Sequence, residues 1–376
     1  MNQSSKLCLA GGMSIGILLV QLGWSSAATA MATTAQDSPQ QTELAITSVD
    51  GIDEEAFVMI NGQRQWVTIR GQDRANPALL IVGGTQMDGP GAIMSPYAAT
   101  LLPLERDFTV VQWDPPGAGK TFVEAGGTVP AGLTIEKIVE DGLALTDYVR
   151  GRTGKSKIVV MGVNFGSTVG VGMVMARPAI FSAYVGSGQI VSSRTEREHF
   201  GYERLLRLAT EANDEAALAD LRISGPEPWR EPRDPTRVAA FQRAGARYRP
   251  PNPSSPVQVA LSNPHWSLSD IQAAQRGAAQ LEQTIGKSWG EHFDFNSLGP
   301  SFDVPVFVIQ GDDNDTAPTP MAREWLDRIA APIKGFATIP VAGNHALETH
   351  TEDFLKLLDR YVRPVALAAD REGLMR

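Results

Sequence analysis

Ile158-Val159-Val160-Met161-Gly162-Val163-Asn164-Phe165-Gly166-Ser167 is the stretch on which the fold turns. Its first four residues are an apolar run of strand length, and Ser167 to Met175 is rich in small residues and reads as a helix. Between them, Gly162 and Gly166 bracket Asn164, so the chain leaves a buried strand, turns within a few residues and starts a helix. Such a turn strains its central residue, and the flanking residues must be small for the helix to pass the strand. This is the Gly-x-Ser-x-Gly elbow in position and context, with Asn where the serine nucleophile belongs.

Outward from the elbow, strands alternate with helices. Phe57 to Ile60 and Gln65 to Ile69 flank Asn61-Gly62 and read as a hairpin. Ala78 to Val82 and Phe108 to Trp113 are continuous apolar runs that suit buried strands, as are the later Val304 to Ile309 and Phe336 to Ile339. Leu133 to Arg150 has helical spacing with Thr134 at its N-cap, and Thr319 to Ala330 and Glu352 to Val362 also read as helices. This alternation argues a mostly parallel sheet covered on both faces. From 187 to 301 strand-like runs almost vanish. The spacing there predicts helices over Glu203 to Leu221 and Asp270 to Ile285 between Pro-rich stretches, an inserted helical cap over the carboxyl edge of the sheet. The expected organisation is a core over 51–186, the cap over 187–301 and the rest of the core over 302–376.

Composition agrees with a large folded domain: 376 residues, 43% hydrophobic and 20% charged. A formal net charge of −9, with no block of Lys or Arg, leaves no electrostatic footprint for nucleic acid or an anionic membrane. Cys8 is the only cysteine, which excludes an internal disulfide and a Cys-based zinc site. Lys6, the apolar run from Leu7 to Trp24 and Ala28-Thr29-Ala30 form the n-region, h-region and Ala-x-Ala exit of an export signal. Residues 1–30 are therefore expected to be removed, 31–50 to be a flexible lead-in, and the mature protein to be exported, periplasmic or secreted, with no stable membrane span. The glycines and Gln21 in the run make it a weak span if it were retained.

Further stretches carry a family resemblance. They are Asn61-Gly62 with Gln65-Trp66, Ile69-Arg70-Gly71, Gly89-Pro90-Gly91, Val111 to Thr121 (Val-Gln-Trp-Asp-Pro-Pro-Gly-Ala-Gly-Lys-Thr), Leu133 to Glu136 and Val185-Gly186-Ser187-Gly188-Gln189. With the elbow, they make the chain resemble an α/β-hydrolase of the proline iminopeptidase-like group over about residues 50 to 362. The resemblance implies an α/β-hydrolase fold with a helical cap, hydrolase chemistry on small amides or esters, and a small-molecule site under the cap without cofactor or metal. It maps the nucleophile to Asn164, the acid to Asn314 in Gly311-Asp312-Asp313-Asn314, and the base to His345 in Gly343-Asn344-His345-Ala346. It also implies oxyanion donors at the backbone N–H of Phe165 and at Gly84, in a loop (Gly83 to Gly91) that is stretched and lacks the family's His.

The two Asn residues change the chemistry. An acyl-enzyme needs an oxygen or sulfur that a base can deprotonate, and an Asn amide supplies none. Asn314 can accept from His345 Nδ1–H without balancing its charge, and in the well-studied serine protease triad the Asp-to-Asn change alone lowers turnover roughly 10⁴-fold. Three readings stand: a ligand-binding relic on a hydrolase scaffold, a rewired catalyst with His345 as general base and Asn164 orienting ligand or water, and residual peptidase or esterase activity. In the second, Asp313 substitutes for the acid by a one-residue slip.

The smaller signals favour structure. Gly117 to Thr121 lacks the upstream Gly of a phosphate loop, whose place is taken by Asp114, and Pro115-Pro116 removes amide donors. His199, His265 and His292 have no metal-ligand spacing, and His345 and His350 are five apart rather than four. Asp312-Asp313-Asp315 lacks the Gly and terminal Glu of a calcium loop. Glu196, Glu198 and Glu203 open the cap, where the family holds a substrate amine with carboxylates; a solvated helix face is the alternative.

Overall fold

The structure, a computed structural model, describes residues 45–83, 101–226, 234–249, 267–286 and 301–374. Ile46 to Arg376 forms one compact unit, and Met1 to Ala45 is a separate one of which only Ala45 is described. The export signal, most of the lead-in, Gly84, His265 and His292 lie outside the described residues.

An eight-stranded sheet carries the fold. Its strands are β1 (Ile52–Ile60), β2 (Gln63–Gly71), β3 (Ala78–Val82), β4 (Thr109–Asp114), β5 (Ile158–Val163), β6 (Phe181–Ser187), β7 (Val306–Gly311) and β8 (Lys334–Ile339). They lie in the order β1-β2-β4-β3-β5-β6-β7-β8, with β1 and β2 antiparallel and every pair from β4·β3 onward parallel. The hairpin closes through Asn61 at φ 45° and Gly62 at φ 87°, the two positive angles that an Asn-Gly turn between twisted strands requires. Asn61 Nδ2 and Gln65 Nε2 each donate to the Asp141 carboxylate at 2.7 Å, and Trp113 Nε1 donates to Gln65 Oε1 at 2.8 Å. The hairpin is thus fastened to the helix behind it by a buried carboxylate.

The continuous apolar runs are explained by coverage on both faces. Leu80, Val82, Val111, Trp113 and Val160 pack into one core, while Leu79, Ile81, Val110, Val159 and Met161 pack into the other. Adjacent residues of a strand point to opposite faces, so a strand buried on both sides is apolar throughout. Each such Val, Leu or Ile contributes about 1.5–3 kcal/mol by leaving water.

Most helices follow the reading; those over Gly119–Glu124 and Pro235–Ala246 have no counterpart in it, and two expected helices differ. In order the helices are α1 (Gly119–Glu124), α2 (Ile135–Thr153), α3 (Phe165–Ala176), α4 (Arg194–Glu211), α5 (Glu215–Ser224), α6 (Pro235–Ala246), α7 (Leu268–Leu281), α8 (Thr319–Arg328), α9 (Ala346–Thr349), α10 (Thr351–Leu357) and α11 (Arg363–Leu374). The helix expected over Glu203 to Leu221 is two, because Asn213 takes φ 53° and Asp214 caps the second by accepting from Ala217 N. Apolar spacing continues across that break, whereas the Asn-Asp capping chemistry ends one helix and starts the next. The expected helix over Glu352 to Val362 opens into a π-turn at Leu358–Val362 and then continues to Leu374. Between β6 and β7 the described residues contain helices and no strand, with their own apolar cluster of Tyr202, Leu205, Ala209, Ala217, Leu221 and Ala244.

The sheet order also locates the crevice. From β3 the chain moves to β4 on one side, and the next strand, β5, pairs on the other side of β3. At such a switch point the connections leaving the carboxyl ends diverge and leave a gap. Gly83 and Asn164 follow the ends of β3 and β5 there.

Candidate functional site

Asn164 sits between β5 and α3 with φ 50° and ψ −120°, a conformation that a side-chain-bearing residue holds only under constraint. The constraint is visible. Asn164 N donates to Ser187 O at 2.9 Å, and Asn164 O accepts from Ser167 N at 2.8 Å. A Cβ on Gly162 would lie 2.5 Å from Ser167 Cα, and one on Gly166 would lie 2.0 Å from Val82 O. The elbow is therefore built in full, down to the close approach of α3 to β3, with an amide at its tip. Phe165 N begins α3; of the two oxyanion positions that the resemblance implies, the other, Gly84, is not described.

Behind the elbow lies a buried polar network that sequence reasoning missed. Tyr184 Oη donates to Gln189 Oε1 at 2.6 Å, Gln189 N donates to Gln310 Oε1 at 3.0 Å, and Gln310 Nε2 donates to Thr319 Oγ1 at 2.8 Å. Burial drives the Tyr184 hydroxyl far above its ordinary value, so it remains a neutral donor. This chain of bonds links β6 to β7 directly behind the two loops that carry Asn164 and Asn314.

Asn314 and His345 come from adjacent loops. Asp312 N donates to Ile339 O and Asp313 N to Ala342 O, both at 3.1 Å, which stitches the loop after β7 to the loop after β8. Yet the Asn314 amide oxygen is engaged within its own loop. Its Oδ1 accepts from Thr316 N at 3.0 Å and Ala317 N at 2.9 Å, closing an Asx turn on its own loop. Its Nδ2 is buried and without a partner. Asp313, the slip candidate, pairs with Arg204 of α4, and Asp315 pairs with Arg249 at 2.7 Å. Asp313 and Asp315 thus tie the loop to the helical segment after β6.

His345 begins the short α9, and its imidazole finds a carboxylate one turn on: Nδ1 lies 3.9 Å from Glu348 Oε2. Glu348's side chain is only 9% exposed, and Oε2 has no hydrogen-bond partner. Burial holds the Glu348 carboxyl above its ordinary range, and the facing imidazole pulls it back down. The i,i+3 spacing of His345 and Glu348 was the signal available in the sequence. Just before, Val341 sits at φ 57°, a strained angle for a β-branched residue, at the mouth of the loop that delivers His345.

Unpaired polar atoms collect at this point of the fold. Asn164 Oδ1 and Asn344 Oδ1 are both buried without a partner, and both crowd the same spot beside Gly188, where a Cβ would lie 2.2 and 3.2 Å from them. Gly188, at φ 61°, keeps that spot open. Two acceptors facing one spot, with the Asn314 Nδ2 donor in the neighbouring loop, are what a small polar group would satisfy.

The other sequence signals resolve into structure. Asp114 Oδ2 accepts from Lys120 N at 2.8 Å and Thr121 Oγ1 donates to Asp114 O at 2.6 Å, so Gly117 to Thr121 is a turn that runs into α1 and is closed on its own aspartate. Glu196 completes a capping box with Ser193, and His199 is exposed on α4. His350 Nδ1 meets Thr349 Oγ1 at 2.8 Å. Among the described residues no group of three or more His, Cys, Asp or Glu is placed to hold a metal ion. Nor is any helix there long and apolar enough to cross a membrane.

A strained strand-to-helix elbow at the switch point of a mostly parallel eight-stranded sheet, with a His on the loop after the last strand, decides the fold. The chain has the α/β-hydrolase fold and resembles the proline iminopeptidase-like group. It is 25% identical over 314 residues to the probable aminopeptidase YbaC of Bacillus subtilis, covering 81% of this chain and 94% of that protein. Among solved structures it superposes on the proline iminopeptidase of Mycobacterium smegmatis with a TM-score of 0.57 and 19% identity, over 85% of this chain and 100% of the other. A proline iminopeptidase-related protein of Thermus thermophilus gives a TM-score of 0.54 at 19% identity, over 85% and 98% of the two chains. No family model matches the sequence.

Proposed function

We propose that this α/β-hydrolase is not a serine hydrolase but binds a small polar ligand between Asn164 and His345, without a covalent intermediate. The observation that carries the reading is Asn164 itself: a strained residue, its Oδ1 buried and unpaired, at the tip of an otherwise complete elbow. Strain and an orphaned acceptor each cost on the order of 1–3 kcal/mol, and a site that had lost all use would be expected to shed both. The amide offers two donors and one acceptor where a hydroxyl would attack. Similarity to a probable aminopeptidase supports a small amide or acyl-amino acid as the ligand class, held beneath the helices of 187–301 acting as a cap.

A second reading has its own support. His345 still faces a carboxylate, Glu348, so the imidazole retains what a general base needs on water or an acidic C–H of the ligand. We further propose that the protein acts outside the cytoplasm, on the strength of residues 1–30; N-terminal sequencing of exported material should begin near Met31.

The test combines two measurements. Intact mass after incubation with a fluorophosphonate should show no adduct. A melting-shift screen of small amides and acyl-amino acids should give hits that are lost in His345→Ala and Asn164→Ala. A stoichiometric adduct, or hits unchanged in both variants, overturns the proposal.

A further inference from the structure

Resting on the reading that His345 is still a working group, we propose that Glu348 has taken over the task of the missing triad acid and is the positioning residue of His345. The family position cannot perform that task here. Asn314 spends its Oδ1 on the amides of Thr316 and Ala317, and Asp313, one residue away, is engaged by Arg204. Meanwhile a carboxylate lies 3.9 Å from His345 Nδ1, its Oε2 shut away from solvent and without a hydrogen-bond partner.

A carboxylate buried with an unmatched oxygen is costly unless something nearby balances it. Among the described residues, the ionisable side chain acting on Glu348 is His345. The backbone enforces the pairing. His345 O accepts from Glu348 N at 3.1 Å and from Thr349 N at 2.9 Å, so one helical turn carries both side chains and places them on the same side. Ala346 and Leu347, between them, are buried in the core and fix that turn against the sheet.

The arrangement has a chemical consequence. Glu348 attracts the proton to Nδ1 and leaves the Nε2 lone pair on the far side of the ring, which is the tautomer a triad acid enforces. When a proton arrives at Nε2, the carboxylate balances the imidazolium. The acid has thus moved from the loop after β7 to the same helical turn as the base.

The test uses the ligand-free chain, so its outcome is separate from that of the binding screen. In 15N-labelled protein at pH 8, the His345 ring nitrogens should show the proton on Nδ1. Glu348→Ala should reverse the pattern towards Nε2–H, Glu348→Gln, which keeps the shape and removes the charge, should move it in the same direction, and Asn314→Ala should leave it unchanged. An unchanged tautomer in Glu348→Ala, or a reversal in Asn314→Ala, overturns the proposal. Should Glu348→Ala fail to fold, the 13Cδ titration of Glu348 decides: in His345→Gln its midpoint should rise, because the facing cation is gone. A midpoint that stays put refutes the pairing. Loss of every screening hit with the tautomer result intact would sink the ligand reading and leave the pair standing.

Discussion

Replacing Asn164 by glycine should make the protein more stable. At φ 50° and ψ −120° the residue stores strain on the order of 1–3 kcal/mol, which a residue without Cβ does not feel. The substitution also removes a buried oxygen without a partner, a further gain of about 1–3 kcal/mol. Against this stand the greater freedom of glycine in the unfolded chain, about 0.5–1 kcal/mol, and the lost contacts of a small side chain. The net expectation is about 2 kcal/mol. For a unit of about 330 residues, Ile46 to Arg376, an unfolding entropy near 2.1 cal/mol/K per residue turns that into a rise in Tm of about 3 °C. Asn164→Ala separates the two contributions: it deletes the orphaned oxygen and keeps the Cβ, so it should fall below Asn164→Gly by about 1–2 kcal/mol. Urea unfolding followed by circular dichroism measures both, with the m-value as a check that the unfolded state is unaltered. If the alanine variant is as stable as the glycine variant, the elbow stores no strain and the argument from Asn164 fails.

Three further outcomes follow from the packing. Gly166→Ala should destabilise by about 3 kcal/mol or more in the same assay, because the new Cβ would meet the Val82 carbonyl at 2.0 Å and backbone cannot step aside. Arg70→Met should cost about 3–5 kcal/mol by leaving Glu105, 2% exposed, without the guanidinium 2.9 Å away, whereas adding Glu105→Leu should recover most of the loss; equal losses in single and double variants would contradict this. Glu348→Gln should flatten the pH dependence of stability. An acid whose value in the fold lies above its ordinary one contributes stability that is complete below the ordinary value and lost as pH rises through the raised one. The variant should therefore gain on the wild type as pH rises above the ordinary glutamate range, and parallel stability curves would refute the assignment.

How much of this was legible in the sequence depends on whether the signal was local. Apolar runs such as Ala78 to Val82 announced strands covered on both faces, because each residue's face follows from a period of two. Asn61-Gly62 announced its turn because those two residues tolerate positive φ. Gly162 and Gly166 announced the elbow because a Cβ at either would strike backbone. The break at Asn213-Asp214 was also local, but apolar spacing ran across it and masked the capping signal.

The partners of the site residues were a different matter. Whether Asn314 faces His345 depends on how its loop closes, and the amides of Thr316 and Ala317 capture Oδ1 first. Asp313 is drawn to Arg204, a residue 109 positions away whose position depends on the packing of the helices after β6. Glu348 was in plain view three residues beyond His345, yet only the packing of Ala346 and Leu347 into the core turns both side chains inward and shuts one carboxylate oxygen away from water. Backbone conformation answers to neighbours along the chain, so sequence by itself determined the strands, the turns and the elbow. The charge partners answer to neighbours in space, and those the tertiary structure alone decided.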